Sequence, residues 1–241
     1  MKLAILSDIH GNLDALESVL ADLAARKPDA VACLGDFVGY GAEPNACIDR
    51  TKPLIEVAVA GNHDLAACGR IRLGYFNPDA AKAARWTTEA LTPEHLEYLR
   101  SLPFSVSWRG ARLVHASPAS PEEWHYVFSP NDAEWEMQAC TEDVCFIGHS
   151  HFPGAFELDG DSIRYTREAL VQGGEGRRFL INVGSVGQPR DGDPRAAYLV
   201  WDDVARTFEH VRVPYDIPAA MKRIRDAGLP VFLAERLQWG E

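Results

Sequence analysis

Short apolar runs alternate with helical periodicity at the start of the chain. Residues 2–6 are mostly apolar and end at the polar pair Ser7 and Asp8, which predicts a buried strand. Asn12 then stands at the position of a helix N-cap. Four leucines follow it at helical spacing: Leu13, Leu16, Leu20 and Leu23. Further strands are predicted at 31–34 and 55–60. This strand–helix–strand order predicts parallel pairing through right-handed crossovers.

The middle of the chain continues the alternation. Residues 78–102 predict two helices that break near Thr92, and Gly110 predicts the turn of a hairpin between strands at 104–108 and 112–114. A helix is predicted at 131–140 and a buried strand at 144–147. The middle of the chain therefore continues the mixture of helices and strands that is typical of an α/β protein.

The last third has strands without helices between them. They are predicted near 155–158, 162–166, 179–183, 196–201 and 206–213. Two short helices at about 217–238 follow, and the sequence leaves open whether they pack on their own domain or on a second copy. We predict one α/β domain over residues 1–241, containing two β-sheets.

Composition narrows the function. The formal net charge is −11, which excludes broad electrostatic attraction to nucleic acid or to anionic lipid. No stretch approaches the roughly 18 apolar residues of a membrane span. The five cysteines show no Cys-x-x-Cys spacing, so we expect reduced, mostly buried thiols and a cytoplasmic protein. An acidic protein that binds phosphate must neutralise it locally, with metal ions or a few arginines.

Polar residues with ligand chemistry follow the apolar strands. They are Asp8, Asp36, Asn62, His115 and His149. The carboxyl ends of strands meet at one edge of an α/β sheet, so these side chains can converge there. Carboxylate, amide and imidazole groups suit first-row divalent metals. Together with the neighbouring histidines they are too many for one ion, which favours two ions that share a bridging carboxylate.

These local sequences resemble a known family. They read Asp8-Ile9-His10, Gly35-Asp36, Gly61-Asn62-His63-Asp64, Val114-His115 and Gly148-His149-Ser150-His151. Their order is similar to D-x-H, G-D, G-N-H-[DE], H and G-H-x-H of the calcineurin-like metallophosphoesterases, and closest to a small bacterial branch of phosphodiesterases and phosphatases. The resemblance covers residues 3 to about 200 and implies a four-layer α/β/β/α sandwich with two mixed β-sheets.

The same resemblance implies a role for each motif residue. One metal would be held by Asp8, His10 and His151. The second would be held by Asn62, His115 and His149, with Asp36 bridging the two ions. His63 would contact the phosphoryl oxygen or protonate the leaving group, while Asp64 either orients His63 or caps the following helix. The expected cofactors are two divalent transition-metal ions, with manganese the first choice and iron, zinc, nickel or cobalt as alternatives.

The implied reaction is hydrolysis of a phosphodiester or phosphomonoester. A hydroxide bridging the two ions would attack phosphorus directly, without a phosphoenzyme. Protein Ser/Thr phosphatases of the family carry G-D-x-V-D-R-G, whereas this chain has Gly39 and Tyr40 at the last Asp and Arg of that motif. This departure favours a small molecule or a nucleotide over a phosphoprotein. A protein Ser/Thr phosphatase, a dinucleotide-polyphosphate hydrolase and a non-catalytic interaction scaffold remain the alternatives.

Fewer signals point to substrate contacts. Arg190 and Arg195 are candidates for binding the phosphate or the distal part of the ester, or else form a solvated turn. Tyr40, Trp124 and Tyr126 could line the pocket and stack on an aromatic group, or be buried in surface loops. The expected partner is a small phosphoester substrate, with no stable nucleic-acid binding and no membrane. The sequence does not decide between a monomer and a homo-oligomer.

Overall fold

The computed structural model describes residues Met1–Glu241, except for the side chain of Tyr75. Its strands are β1 Lys2–Leu6, β2 Ala30–Cys33, β3 Val57–Ala58, β4 Ser105–Trp108, β5 Ala111–Val114, β6 Val144–Ile147, β7 Gly154–Asp159, β8 Ser162–Thr166, β9 Leu170–Gln172, β10 Arg178–Asn182, β11 Ala196–Asp202 and β12 Thr207–Val213. Its α-helices are α1 Leu13–Arg26, α2 Pro44–Thr51, α3 Asn62–Ala67, α4 Pro78–Ala90, α5 Pro93–Ser101, α6 Pro130–Gln138, α7 Ile217–Asp226 and α8 Val231–Glu235. Short 3₁₀ turns lie at Leu73–Tyr75 and Arg236–Gln238.

The strands form two mixed sheets of six strands each. The first sheet has the order β3-β2-β1-β11-β12-β9, in which β1, β2 and β3 are parallel and the others antiparallel. The second has the order β4-β5-β6-β10-β7-β8, with β5, β6 and β10 parallel. Parallel neighbours require a crossover, and α1 and α6 lie in two of these connections. The carboxyl ends of the parallel strands therefore carry the connecting loops of both sheets.

Alternation along the strands produces the layers. In β1, Leu3 and Ile5 face the second sheet and pack in one core with Phe146 and Ile181. Ala4 and Leu6 point the other way, into a core with α1, α2 and α3. A third core lies between α6 and the outer face of the second sheet. The order of layers is helix, sheet, sheet, helix, which confirms the α/β/β/α prediction.

The C-terminal helices pack on the same chain. Ile224 of α7 and Leu233 of α8 share an apolar cluster with Ala83 of α4 and with Tyr40. Helix α7 also contacts α1, and Arg223 forms ion pairs with Asp14 and with Glu43. The structure thus packs these helices on their own domain, beside Tyr40. The sequence had left open whether they pack there or on a second copy.

Two α-helices and one strand had no predicted bounds, although a helix near Asp64 was considered, and one strand is shorter than predicted. Helices α2 and α3 and strand β9 have eight, six and three residues, too few for periodicity to reveal. The strand predicted at 55–60 contains only Val57–Ala58. All five cysteines are free and buried, as predicted. In the part of the chain that the structure describes, no helix has both the length and the apolar character that crossing a bilayer requires.

Candidate metal centre

Loops from both sheets bring the motif residues to one place. Asp8 follows β1, Asp36 follows β2, and Asn62 begins α3 just beyond β3. His115 follows β5, and the loop after β6 carries His149 and His151. We call seven residues the ligand set: Asp8, His10, Asp36, Asn62, His115, His149 and His151. All seven are buried, although they are spread over more than half of the chain.

One half of the ligand set surrounds Asp8. The Nε2 atom of His151 lies 3.1 Å from Asp8 Oδ1, and that of His10 lies 3.6 Å from the same oxygen. The two Nε2 atoms are 3.1 Å apart. These three residues offer ligand atoms that lie within 4.8 Å of one another, as the first predicted metal position requires.

The other half surrounds Asp36. His115 Nε2 lies 3.2 Å from Asp36 Oδ2, and His149 joins both residues in a second cluster with ligand atoms within 4.8 Å of one another. The same Asp36 oxygen is 3.7 Å from His10 Nε2, in the first half of the set. Asp36 therefore faces both halves, which is the position that a bridging carboxylate needs.

Backbone carbonyls orient three of the histidines. In each case Nδ1–H donates to a carbonyl oxygen, which leaves Nε2 directed into the site. The pairs are His10 with Val38 at 3.0 Å, His115 with Leu34 at 2.8 Å and His151 with Gln188 at 2.5 Å. Metal-binding histidines characteristically have such a partner on the second nitrogen, because it sets the tautomer and the ring orientation.

Unsatisfied atoms test whether the site fits metal ions. Asp8 Oδ1, Asn62 Oδ1 and His115 Nε2 are buried and have no hydrogen-bond partner among the described residues. Leaving a buried polar atom unpaired costs about 1–3 kcal/mol, so such atoms are rare and call for an explanation. These three are among eight such side-chain atoms in the described residues, and they are the ones that belong to the ligand set. Bound divalent ions would satisfy them, and the residues present fit the two ions that the sequence predicts.

The backbone is strained at the ligands. Ten non-glycine residues have positive φ, and five of these belong to the ligand set: Asp8, His10, Asp36, His149 and His151. Left-handed backbone costs of the order of 1–3 kcal/mol per residue, and such strain clusters at functional sites. Two more of the ten, Tyr40 and Trp124, line the adjoining pocket. The strain therefore marks the site independently of its side-chain chemistry.

Glycines before the ligands allow close approach of the loops. A Cβ atom on Gly61 would lie 2.0 Å from Asp36 Oδ1, and one on Gly148 would lie 2.5 Å from Asp8 Oδ2. Any side chain at either position would push a carboxylate out of the site. The glycine in the Gly-Asn and Gly-His motifs is therefore a steric requirement of the site.

Burial and neighbouring charges set the protonation of three histidines in the site. Burial lowers the pKa of His149 to about 3 and that of His151 to about 4, with nearby positive charge adding to the effect, so both rings are neutral at pH 7. Burial alone would also lower the pKa of His115, but the carboxylates of Asp36 and Asp8 outweigh it and raise the pKa to about 9. Metal-free protein therefore holds a proton on His115.

Metal binding is expected to release this proton. An ion can bind His115 only in the neutral form, so below pH 9 it must displace the proton. The apparent affinity should rise by up to about tenfold per pH unit from pH 7 towards pH 9. Calorimetric titration of Mn²⁺ at pH 7, in two buffers with different ionisation enthalpies, measures the protons released. Affinity independent of pH, with no proton release, would contradict this prediction.

His63 lies beside the ligand set at the base of a pocket. Its ring packs against Tyr40 at 4.3 Å, Phe76 at 4.9 Å and His10 at 5.0 Å between centroids. It also forms a third cluster with His10 and Asp36, within 4.8 Å, so distance alone does not separate a ligand from a substrate-binding residue. Burial lowers the pKa of His63 well below its usual value, despite the opposing charge of Asp36. The ring is therefore neutral near pH 7.

Asp64 holds backbone in place. Its Oδ2 accepts hydrogen bonds from the backbone N–H of Asp36 at 2.8 Å and Gly61 at 3.1 Å, and its Oδ1 accepts one from Val38 at 3.3 Å. The bond from Gly61 caps α3, the second of the two roles considered for Asp64. His63 Nδ1 has no hydrogen-bond partner among the described residues. Asp64 thus ties the Asp36 loop to the start of α3.

The two candidate arginines differ in position. Arg190 lines the pocket, with its guanidinium 5.6 Å from the ring centre of Tyr40 and bonded to Gln188 Oε1 at 2.8 Å. Arg195 is half-exposed and forms an ion pair with Asp193 in the same turn. The structure therefore brings Arg190 and Tyr40 to the site and does not bring Arg195 there.

Two residues that sequence reasoning did not assign to the site organise its loops. Asn182 donates from Nδ2 to the carbonyl of Gly148 at 2.5 Å and to Ser150 Oγ at 2.9 Å. Ser185 Oγ donates to the carbonyl of Asp8 at 2.8 Å. Asn182 ends β10 and Ser185 follows three residues later, outside the five motifs that carry the ligand set.

The pocket beside the ligand set has a volume of about 540 Å³. Asp36, Asn62 and His149 are buried at its base, and Trp124 and Tyr126 line it further out. Tyr126 stacks on His149, with ring centres 4.3 Å apart and planes 22° apart. The volume suits a small ligand that reaches the metal positions.

Fold and site together place a candidate metal centre at the edge of an α/β/β/α sandwich. The chain belongs to the calcineurin-like phosphoesterase superfamily, whose domain matches residues 1–203. It is 40% identical over 242 residues to the uncharacterized protein MJ0912 of Methanocaldococcus jannaschii, covering 99% of this chain and 98% of that protein.

Solved structures agree with this membership. A metallophosphoesterase from Sphaerobacter thermophilus superposes with a TM-score of 0.88 at 39% identity, over 100% of this chain and 99% of its own. The hypothetical protein PH1004 from Pyrococcus horikoshii gives a TM-score of 0.82 at 20% identity, over 100% of this chain and 98% of its own. The second likeness concerns the fold alone. The first extends over both the fold and the sequence.

Proposed function

We propose that this protein is a dinuclear metal-dependent phosphoesterase that hydrolyses a phosphodiester or phosphomonoester. The expected substrate is a small-molecule or nucleotide ester. The observation that carries the proposal is the ligand set, with two clusters of ligand atoms joined through Asp36 at the base of a pocket. When bound, two divalent ions would neutralise phosphoryl oxygens and lower the pKa of a water molecule.

The chain's own residues would orient the ester. Arg190 carries a positive charge into the pocket, and Gln188 and Tyr40 hold its guanidinium in place. A neutral His63 can donate an N–H hydrogen bond to a phosphoryl or leaving-group oxygen. Neither role requires a nucleophilic side chain. The hydroxyl of Ser117 donates to Glu136, and that of Ser185 donates to the Asp8 carbonyl. Because both hydroxyls are engaged in structural hydrogen bonds, we expect water and not a serine to attack the ester.

Gly39 argues against the protein-phosphatase arrangement. It stands where those phosphatases carry the aspartate that supports their histidine, and a Cβ there would lie 2.6 Å from His63 Nδ1. The close contact leaves no room for a side chain at residue 39. A small-molecule or nucleotide ester therefore remains the preferred substrate class.

Metal-loaded protein is expected to hydrolyse bis(p-nitrophenyl) phosphate in the presence of Mn²⁺, and a chelator should abolish the activity. Reconstitution with Zn²⁺, Ni²⁺, Co²⁺ or Fe²⁺ would rank the metals, and p-nitrophenyl phosphate would separate monoester from diester preference. Metal analysis should show two ions per chain before each assay. Loaded protein that cleaves neither ester would contradict the proposal and favour a scaffold.

A further inference from the structure

Arg190 lies in a short segment that contains as many acidic as basic residues. Residues 190–195 read Arg-Asp-Gly-Asp-Pro-Arg, so either aspartate is close enough in sequence to neutralise Arg190. The structure pairs these charges differently. Asp193 forms its ion pair with Arg195, and the Arg190 guanidinium donates to the neutral amide oxygen of Gln188. An amide oxygen orients the guanidinium without cancelling its charge.

Asp191 anchors this segment to the body of the protein. Its Oδ2 accepts a hydrogen bond from Nη2 of Arg167 at 2.5 Å, and Nη2 of Arg212 donates to the same oxygen. Arg167 directly follows β8 of the second sheet, and Arg212 lies on β12 of the first sheet. The Asp191 side chain is only 3% exposed. One buried carboxylate therefore ties the segment to both sheets.

This anchor is not the arrangement that stability alone favours. The Oδ1 atom of Asp191 is buried and has no hydrogen-bond partner among the described residues. An unpaired buried oxygen is destabilising, and burying an ion pair removes hydration that the pairing only partly replaces. A charged group in such a place fixes one arrangement of the chain around it. We therefore looked for what the Asp191 anchor holds in place.

The segment fixed by Asp191 reaches the pocket and the ligand set. The backbone N–H of Arg190 donates to the carbonyl of His151 at 3.4 Å, and the Arg190 guanidinium lies 5.6 Å from the ring centre of Tyr40. Asp191 is the next residue in the chain. Because each residue has only two soft backbone dihedral angles, fixing Asp191 strongly limits where the Arg190 side chain can point.

The two anchoring arginines also keep Asp191 from neutralising Arg190. A free carboxylate next to Arg190 in sequence would compete with a phosphate for its guanidinium. Here the charged oxygen of Asp191 is already bonded to Arg167 and Arg212. The positive charge of Arg190 consequently stays available at the pocket that it lines.

We propose that Asp191 is a positioning residue for phosphate binding, which fixes Arg190 at the pocket and leaves its charge to the phosphate oxygens. This inference rests on the proposed phosphoesterase function for the nature of the ligand and adds the residue that makes Arg190 effective. Asp191 itself does not touch the substrate. The planar fork of a guanidinium matches phosphate oxygens only in a narrow range of orientations, so its placement matters.

A double-mutant cycle on inorganic phosphate binding tests the coupling between the two residues. Calorimetry on the metal-loaded protein measures each Kd. Arg190→Ala is expected to raise the Kd about tenfold or more. In the Asp191→Ala background the same change should raise it by less than about twofold, because Arg190 is no longer held at the pocket. Strictly additive effects would overturn the inference.

Glu157 provides a matched control for the loss of a buried anchor. Its side chain is 7% exposed, lies on β7 between Arg164 and Arg177, and does not line the pocket. Glu157→Ala and Asp191→Ala are both expected to lower Tm, but only Asp191→Ala should weaken phosphate binding. Equal weakening in both variants would contradict a positioning role. So would loss of an ion from Asp191→Ala, because the segment would then support the ligand set.

A second variant keeps the question open to measurement if Asp191→Ala does not fold. Arg212→Met removes one of the two guanidinium groups that hold Asp191 and keeps most of the apolar stem. It is expected to raise the Kd for phosphate by about twofold or more, although Arg212 does not line the pocket. Arg177→Met, at the Glu157 anchor, should leave the Kd unchanged. A Kd that Arg212→Met leaves unchanged would count against the inference.

Ester hydrolysis separates this inference from the phosphoesterase proposal. Loaded protein that shows the Arg190–Asp191 coupling in phosphate binding but cleaves no ester would refute the phosphoesterase proposal and support the positioning role. Loaded protein that cleaves bis(p-nitrophenyl) phosphate with a KM that neither Arg190→Ala nor Asp191→Ala changes would do the reverse. The expected result is a raised KM in both variants with kcat nearly unchanged, since Arg190 binds the ground state and the transition state alike.

Discussion

Asp36→Asn is expected to reduce the metal content from two ions per chain to one or none and to lower kcat/KM by about 10³-fold or more. Asp36 faces both halves of the ligand set, with His115 at 3.2 Å and His10 at 3.7 Å from the same oxygen. Asparagine has the same shape but lacks the charge that two cations share. Losing metal assistance worth several kcal/mol corresponds to a change of this size.

The Asp36→Asn substitution removes the negative charge and keeps the local hydrogen bonding. Asp36 Oδ1 accepts a hydrogen bond from the backbone N–H of His63, and an amide oxygen can still accept it. Asp22→Asn on α1 serves as a control, because that carboxylate pairs with Arg26 away from the site. Elemental analysis and the diester assay would measure both variants. An Asp36→Asn protein that keeps two ions and full turnover would refute the bridging role.

His63→Ala is expected to lower kcat by about 10²–10⁴-fold while two ions stay bound. The structure makes this a sharp question, because His63 lies as close to His10 and Asp36 as the ligands lie to one another. If His63 contacts the substrate, its removal costs turnover and leaves the Asp8 and Asp36 clusters intact. Loss of an ion from the variant would instead make His63 a ligand.

A second histidine controls for the loss of a buried ring. His95 on α5 is also buried and is hydrogen-bonded to Asn45 at 2.7 Å, outside the pocket. His95→Ala is expected to change the thermal stability and to leave kcat and the metal content unchanged. A similar fall in kcat in both variants would trace the effect of His63→Ala to general destabilisation.

Local pattern was enough for most elements of the fold. Continuous apolar runs identified β1 and β6, and leucine spacing together with Asn12 identified α1, whose cap bond from Ala15 N–H is 3.1 Å long. Both signals depend on neighbours within one turn or one strand. Elements of only about two periods could not be found in this way, and α3 is the instructive case, because its six residues include the Asn62-His63-Asp64 motif.

The sequence by itself determined the chemistry of the ligand set, since residue types and their order at strand ends can be identified without coordinates. Only the tertiary structure decided that Asp36 faces both halves, that Asp64 bonds three backbone N–H groups, that Arg190 enters the pocket and that Arg195 does not. It also brought Trp124 and Tyr126 to a pocket that Tyr40 lines as well. The physical reason is that packing one sheet on another sets these distances, and no local periodicity encodes them.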